Sequence, residues 1–419
     1  MNKQRVWAFF AVLVLIISMV ACGNKSASGG GKDEKVTLRL SFWFGAADLP
    51  AWQKGVDDYM AANPNVNIIL ESTPWAEYWT KLRSQMSANT QADIIGMVSM
   101  QSDYFIRNNA LLDLGPYIRK ENFDLSDVWP GMMKAYTVGD SIYCLPYDLS
   151  VNLLLCNLDM FEEAGVEFKP LGYTMDEFLQ ISKKLTTANH YASDFYPDGG
   201  YNLYDAITSA GVDPTDATGN IALNKPDVVE VIQWIADLNL KHGTQIRYDR
   251  VGRDGRANFL SRKVAMIPVQ GEWTMKIRAE MPDTKLDVMY FPFVGRNGRK
   301  VTEGGSFAAS SKTKYPEVAW DFIKNYTSAE RLGEIIGATH RGIPGRISAA
   351  PLMLTSKYAV PHSQLFFDAM QGSTWINYPY RAECEIELVN FIDRVFIGEL
   401  TAQQGMDAFM EAVADIQKQ

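Results

Sequence analysis

Ten tryptophans, 19 tyrosines and 20 phenylalanines run through the 419-residue chain, and the informative ones lie where secondary-structure elements end. Trp43, Trp75, Trp273, Trp375 and Tyr378 fall near predicted element boundaries, whereas Trp234 and Trp320 sit inside helical patterns and read as packing. An aromatic face in a loop can stack on the C–H face of a sugar ring, whose hydroxyls then need paired donors and acceptors. Asp148 and Glu272 have loop positions suited to accepting such bonds, Ser99 and Gln101 follow a predicted strand, and Arg346 is placed to donate. Each has a plainer reading of nearly equal weight. A loop ring can simply pack, Asp148 can close a turn on its own backbone, and Arg346 can bind backbone carbonyls.

No catalytic signature competes with this reading. The chain has no P-loop, no G-x-S-x-G and no G-x-G-x-x-G. His190, His242, His340 and His362 are far apart, and none has metal-ligand spacing. Asp213-Pro-Thr-Asp216-Ala-Thr-Gly219 lacks the alternating acids of a calcium loop and reads as a turn. No metal or cofactor is expected. The paired carboxylates of a glycoside hydrolase are defined by distance in space, so a glycan-active enzyme stays open.

The elements that must position these residues follow from periodicity. Residues 36–44 alternate and then end in aromatics, residues 66–71 form a second strand, and residues 92–98 a third. A helix opens at Pro50 with Trp52, Val56, Tyr59 and Met60 on one face, and another covers residues 75–89. Strand–helix–strand–helix–strand with short connections requires parallel pairing and an α/β sheet, with functional loops at the carboxyl ends of the strands. Residues 141–165 read as a hairpin: strand runs at 142–146 and 151–156, with a polar tip at 147–150, then a helix from Asp159. Residues 191–219 are rich in Asp, Gly, Pro and Tyr and read as loops around a short helix. Further strands are expected at 264–269 and 286–293. Thr174-Met-Asp-Glu177 and Thr401-Ala-Gln-Gln404 are capping boxes that start helices.

At this length two domains are favoured over one core, and 47% hydrophobic with 21% charged residues is an ordinary globular balance. A formal net charge of −9 with no basic stripe gives no sign of nucleic-acid binding. Residues 1–21 carry Lys3 and Arg5 ahead of an apolar run too short to span a bilayer, which reads as a signal peptide. Ser18-Met-Val-Ala-Cys22-Gly resembles a bacterial lipobox, with Met19 where Leu is usual, so Cys22 is the expected acylation site; plain cleavage after Ala21 is the alternative. Residues 22–35 make a flexible tether. Cys144, Cys156 and Cys384 remain as buried thiols, with a Cys144–Cys156 bridge left open.

The order of motifs resembles the family 1 extracellular solute-binding proteins of bacterial ABC importers, the group that includes maltose-binding protein. The resemblance is carried by Ala92-Asp-Ile-Ile, Ala110-Leu-Leu-Asp-Leu-Gly-Pro-Tyr-Ile, Ile142-Tyr-Cys-Leu-Pro-Tyr and Cys156-Asn-Leu-Asp-Met-Phe-Glu-Glu-Ala-Gly. Thr174-Met-Asp-Glu-Phe, Lys184-Leu-Thr, Lys263-Val-Ala-Met266, Gly271-Glu-Trp and Gly304-Gly-Ser ahead of Val318-Ala-Trp-Asp-Phe-Ile-Lys continue it. Ala92, Cys156 and Arg262 depart from the usual Pro, Tyr and Gly.

The resemblance implies a two-lobed α/β periplasmic-binding-protein-like fold of the class II type, with the ligand in the cleft between lobes. The lobes would be residues 36–147 plus 305–343 and residues 148–304 plus 344–419. Chain crossings would fall at Tyr147-Asp148, at Gly304-Gly305 and around Arg341 to Arg346, where Gly304, Gly305, Gly342 and Gly345 would ease hinge motion. Trp273 would supply a stacking ring, as would Trp375 and Tyr378, and Tyr147 and Gly305 would border the ligand. The implied function is a monomeric receptor, lipid-anchored outside the cell membrane, that delivers an oligosaccharide or sugar derivative to ABC permease subunits. The same fold could instead hold a polyamine in a carboxylate cage or iron on a tyrosine cluster.

Overall fold

The computed structural model describes residues 35–43, 49–195, 200–247, 254–293, 295, 296, 298, 300–339, 341–416 and 418. The expected leader at 1–21, the acylation site Cys22, the tether up to residue 34 and the strand-end Phe44 lie outside them. Ten strands carry two sheets. They are β1 (Val36–Phe42), β2 (Val66–Ser72), β3 (Ile94–Val98), β4 (Cys144–Ser150), β5 (Leu153–Asn157), β6 (Tyr191–Ser193), β7 (Val264–Val269), β8 (Leu286–Met289), β9 (Glu303–Ala309) and β10 (Ile343–Pro344).

Leu38, Leu40 and Phe42 alternate along β1 and are fully buried, as a half-polar strand pattern demands. β1 pairs in parallel with β2 along its whole length and with β3 on its other side, so the expected parallel α/β unit forms. The first sheet has the order β10-β4-β9-β3-β1-β2, and β9 runs antiparallel to both of its neighbours. The second sheet has the order β8-β5-β7-β6, with β7 parallel to β6 and antiparallel to β5.

The hairpin expected over residues 142–156 does not form. Residues 147–150 continue β4, since buried Tyr147 and Leu149 alternate with partly exposed Asp148 and Ser150. That alternation pairs with Glu303, Gly304 and Gly305 of β9, some 150 residues away, instead of turning back on β5. β4 and β5 therefore belong to different sheets, and the chain changes sheet at Val151 and Asn152, beyond the crossing expected at Tyr147-Asp148. Residues 191–193, read as loop, form the short parallel strand β6. Cys144 and Cys156 are free and buried, one in each sheet, which removes the open bridge.

Both capping boxes are present, at Thr174 with Glu177 and Thr401 with Gln404. The first sheet packs Trp52, Phe307, Trp320 and Tyr326 into one apolar core. The second packs Phe178, Leu203, Val231, Ile235, Leu388 and Phe409 into another, with Trp234 against its rim. A third cluster is continuous from Tyr78 and Phe105, through Leu149 and Val151, to Ile267 and Val288. It places apolar packing directly under the passage between sheets.

Candidate ligand-binding cleft

Between the sheets lies a cavity of about 690 Å³, within the roughly 300–1,000 Å³ common for small-molecule sites. Its first-sheet wall is Trp43 after β1, Trp75 beyond β2, Ser99 after β3, and Tyr147, Asp148, Gly304 and Gly305 on β4 and β9. The opposite wall is Asp194 after β6 and Ile267 to Gln270 at the end of β7, followed by Glu272 and Trp273. The walls are thus largely the carboxyl ends of parallel strands, where open α/β sheets place ligands.

The rings differ in how tightly they are held. Trp43 stacks on Phe42 with centroids 4.3 Å apart and meets Tyr78 edge-on at 5.1 Å. Tyr78 is itself pinned, because its hydroxyl donates to the carbonyls of Ser41 and Gly96 at 3.1 and 2.8 Å. Trp75 opens the helix Trp75–Ser87, meets Trp43 edge-on at 5.1 Å and stays 47% exposed. Trp273 stands in the first turn of the helix Gly271–Glu280 and is 40% exposed, with the Arg256 guanidinium 5.9 Å from its ring. Large rings so exposed at a cavity present faces that packing leaves uncovered. Tyr147, by contrast, is a core ring wedged against Trp52 and Phe307 at 5.1 Å each, and only borders the cavity.

Asp148, Glu272 and Glu303 each face a cation, and Asp194 accepts from Asn258 Nδ2 at 3.2 Å. Asp148 accepts the Gly305 N–H at 2.9 Å and lies 3.8 Å from Arg341 Nε. Glu272 holds Lys276 one helical turn on. Burial works to raise the Glu272 pKa, but the charges of Arg341 and Lys276 outweigh it, and the net shift is downward. Glu303 accepts from Ser99 Oγ on one oxygen and from Arg381 Nη2 at 2.6 Å on the other. Burial pushes its carboxyl up to about 7 against the pull of Arg381.

Glycine at 305 is required by contact. Its φ is not left-handed, and a Cβ there would lie 2.1 Å from the Tyr147 ring. Gly304 is similar, with the Asp148 carbonyl 2.5 Å away from such a Cβ. The crossings therefore use glycine for close strand approach, where hinge freedom was expected.

Residues 46–331 match the profile of the bacterial extracellular solute-binding proteins. The chain belongs to that family. An arabinooligosaccharide-binding protein of Halalkalibacterium halodurans is 21% identical over 327 residues, 73% of this chain and 70% of that protein. A putative binding protein of Brucella abortus is 24% identical over 291 residues, 67% of this chain and 69% of its own. Among solved structures, an ABC substrate-binding protein of Listeria monocytogenes in complex with cycloalternan superposes with a TM-score of 0.82. That match has 18% identity and covers 91% of this chain and 99% of the other, which fixes the two-lobed fold.

Four of the residues singled out from sequence do not line the cleft of this solute-binding protein. Gln101 accepts from Arg83 at 2.8 Å. Arg346 is buried, donates to the carbonyls of Thr327 and Asp124 at 2.8 and 3.2 Å, and covers the Phe123 ring. The plainer reading describes it. Tyr378 is buried with its hydroxyl 2.6 Å from that of Tyr204, and Trp375 lies 4.5 Å below the Arg381 guanidinium beside a separate small cavity. Trp375 and Tyr204 give their ring faces to the buried Arg381, which needs aromatic faces and carboxylates to offset desolvation, and Tyr378 anchors Tyr204. Conversely, Asn152, Asp194, Asn202, Arg256, Gln270, Lys276, Glu303 and Arg341 line the cavity without having been singled out. Asp194 was within reach, since it follows a parallel strand, but that strand hid among loop-like residues. Gln270 and Glu303 each sit one residue ahead of a quoted motif.

Proposed function

We propose that this solute-binding protein is a carbohydrate receptor that closes its two lobes on an oligosaccharide. The observation carrying the reading is the opposition of Trp43 and Trp75 on one wall to Trp273 on the other, across one cavity. A sugar ring between them buries its C–H faces on aromatic surface, while its hydroxyls reach Asp148, Glu272 and the amides and amines around them. The carboxylates of Asp148, Glu272 and Glu303 are already matched by Arg341, Lys276 and Arg381, so these three act as hydrogen-bond acceptors and do not form a cage for a polycation. That disfavours a polyamine. The names of the Halalkalibacterium and Listeria relatives, which specify oligosaccharides, support a chain of sugars over a single one.

In this reading the first lobe takes residues 36–150 plus 303–344, the span of the first sheet, and the second lobe takes residues 151–302 plus 345–419. Cys22 carries the lipid that holds the receptor at the outer face of the cell membrane, and the closed form delivers its cargo to ABC permease subunits. Tryptophan fluorescence against a panel of oligosaccharides tests the ligand class. A saturable response that weakens about tenfold in Trp273→Ala is expected. Silence across sugars with a response to polyamines, or turnover of a glycan, overturns the receptor reading. Metabolic labelling with palmitate, lost in Cys22→Ser, tests the anchor.

A further inference from the structure

The chain passes from the second lobe to the first at Thr302 and Glu303. Residues 300–302 are held on the second lobe: the Val301 N–H donates to Asp205 at 3.0 Å, and the Thr302 N–H donates to the Thr374 carbonyl at 2.9 Å. From Glu303 onward the chain is β9, with Glu303 opposite Ser150 of β4 in the first sheet. The Glu303 carboxylate stands at this joint with one oxygen on each lobe. One oxygen accepts from the hydroxyl of Ser99, just beyond β3. The other accepts from Arg381 Nη2 at 2.6 Å, at the start of the helix Arg381–Phe396. Arg381 cannot follow the first lobe, because Nη1 donates to the Ile376 carbonyl and Nε to Glu385, each at 2.6 Å.

Glu303 also lines the cleft, yet only 5% of it is exposed. An ionised carboxylate so placed lacks water, and this desolvation lifts its pKa to about 7 despite Arg381. Arg381 and Glu385 face it from the helix Arg381–Phe396, and Ser99 from the start of the helix Ser99–Arg107. From β4 it meets Ser150 directly opposite, with Asp148 and its Arg341 two residues further along. Tyr136, on residues 134–136, donates to the Gly304 carbonyl at 2.9 Å and is kept neutral by burial. Bringing the walls together removes water from the cleft and makes the charged form of Glu303 less favourable still. Separating them admits water and favours ionisation. Proton uptake and narrowing of the cleft therefore assist one another, as linkage requires.

We propose that Glu303 is a proton-linked joint between the lobes: holding a proton favours the narrow cleft, and losing it favours the wide one. The joint rests on the lobe movement proposed above and not on the class of solute the cleft takes. Small-angle X-ray scattering of the ligand-free full chain between about pH 6 and about pH 8.5 tests it, with no sugar present. Failure of the sugar reading therefore leaves this result intact. The radius of gyration should rise with pH, the ratio of wide to narrow forms growing by up to about tenfold per pH unit, the limit for one proton. Glu303→Gln, whose amide can still accept from Arg381 and donate to Ser99, should stay narrow across the range. Ser99→Ala removes a bond that favours the charged form, so its transition should move to higher pH. It keeps the test decisive if Glu303→Gln does not fold. A radius that stays constant or falls as pH rises, the parental change in Glu303→Gln, or an unmoved transition in Ser99→Ala each overturns the proposal.

Discussion

Substituting Gly305→Ala should destabilise the protein through a single collision. The added Cβ would stand 2.1 Å from Tyr147 Cζ and Oη and 2.7 Å from Cε2, where ordinary contact begins at 3.4 Å. The ring cannot retreat, because Trp52, Phe307 and Phe42 lie 5.1, 5.1 and 5.5 Å from its centroid. Gly305 is not in the left-handed region, so backbone strain adds nothing. Overpacking of this kind costs about 1–3 kcal/mol. Restriction of the unfolded chain returns roughly 0.4–1 kcal/mol, leaving a net loss of about 1–2 kcal/mol. Urea unfolding of both single variants and the double variant with Tyr147→Ala measures it. Tyr147→Ala alone should cost about 3–5 kcal/mol, and adding Gly305→Ala should then cost almost nothing. Strictly additive losses, or a neutral Gly305→Ala, would refute the assignment of this glycine to strand contact.

Two further outcomes follow from the buried charges. Arg346→Met should lower stability by about 3 kcal/mol by stranding the Thr327 and Asp124 carbonyls, while leaving affinity for the cleft ligand unchanged; weakened binding with parental stability would restore Arg346 to the site. Glu303 has a folded pKa of about 7 against 4.5 for the free side chain, so the folded state holds its proton more tightly. Its contribution is therefore fully present below pH 4.5 and is lost as pH rises through about 7, a change of about 3 kcal/mol. The urea midpoint of the parent should fall over that window relative to Glu303→Gln; parallel pH profiles would show that the group does not titrate there.

The parts of this fold legible in sequence are those whose signal is local. β1, β2 and β3 announce themselves by alternation, and the capping boxes by a four-residue pattern. Trp43, Trp75 and Trp273 were legible because each follows the carboxyl end of a strand, and parallel pairing gathers such ends on one edge of each sheet. β4 was not, since what extends it through Asp148 is pairing with β9, and nothing in residues 147–150 encodes a partner 150 positions away. The same limit hid two of the cations. Arg341 and Arg381 meet Asp148 and Glu303 only once the chain is folded, whereas Lys276 stands one turn from Glu272 on the same helix, a spacing the sequence shows.

Asp148 shows what that limit conceals. As the tip of a hairpin it would satisfy its own turn and meet a ligand by chance. In mid-strand its backbone is occupied by β9 and β10, and one carboxylate oxygen is fixed by the Gly305 N–H. The other oxygen faces Arg341, which also lowers the pKa of Glu272 on the opposite wall. One guanidinium therefore couples an acid on the first sheet to an acid beside Trp273. Any movement of the walls changes the field at both acids together, and a hydroxyl that bridges Asp148 and Glu272 is best held when the walls are near.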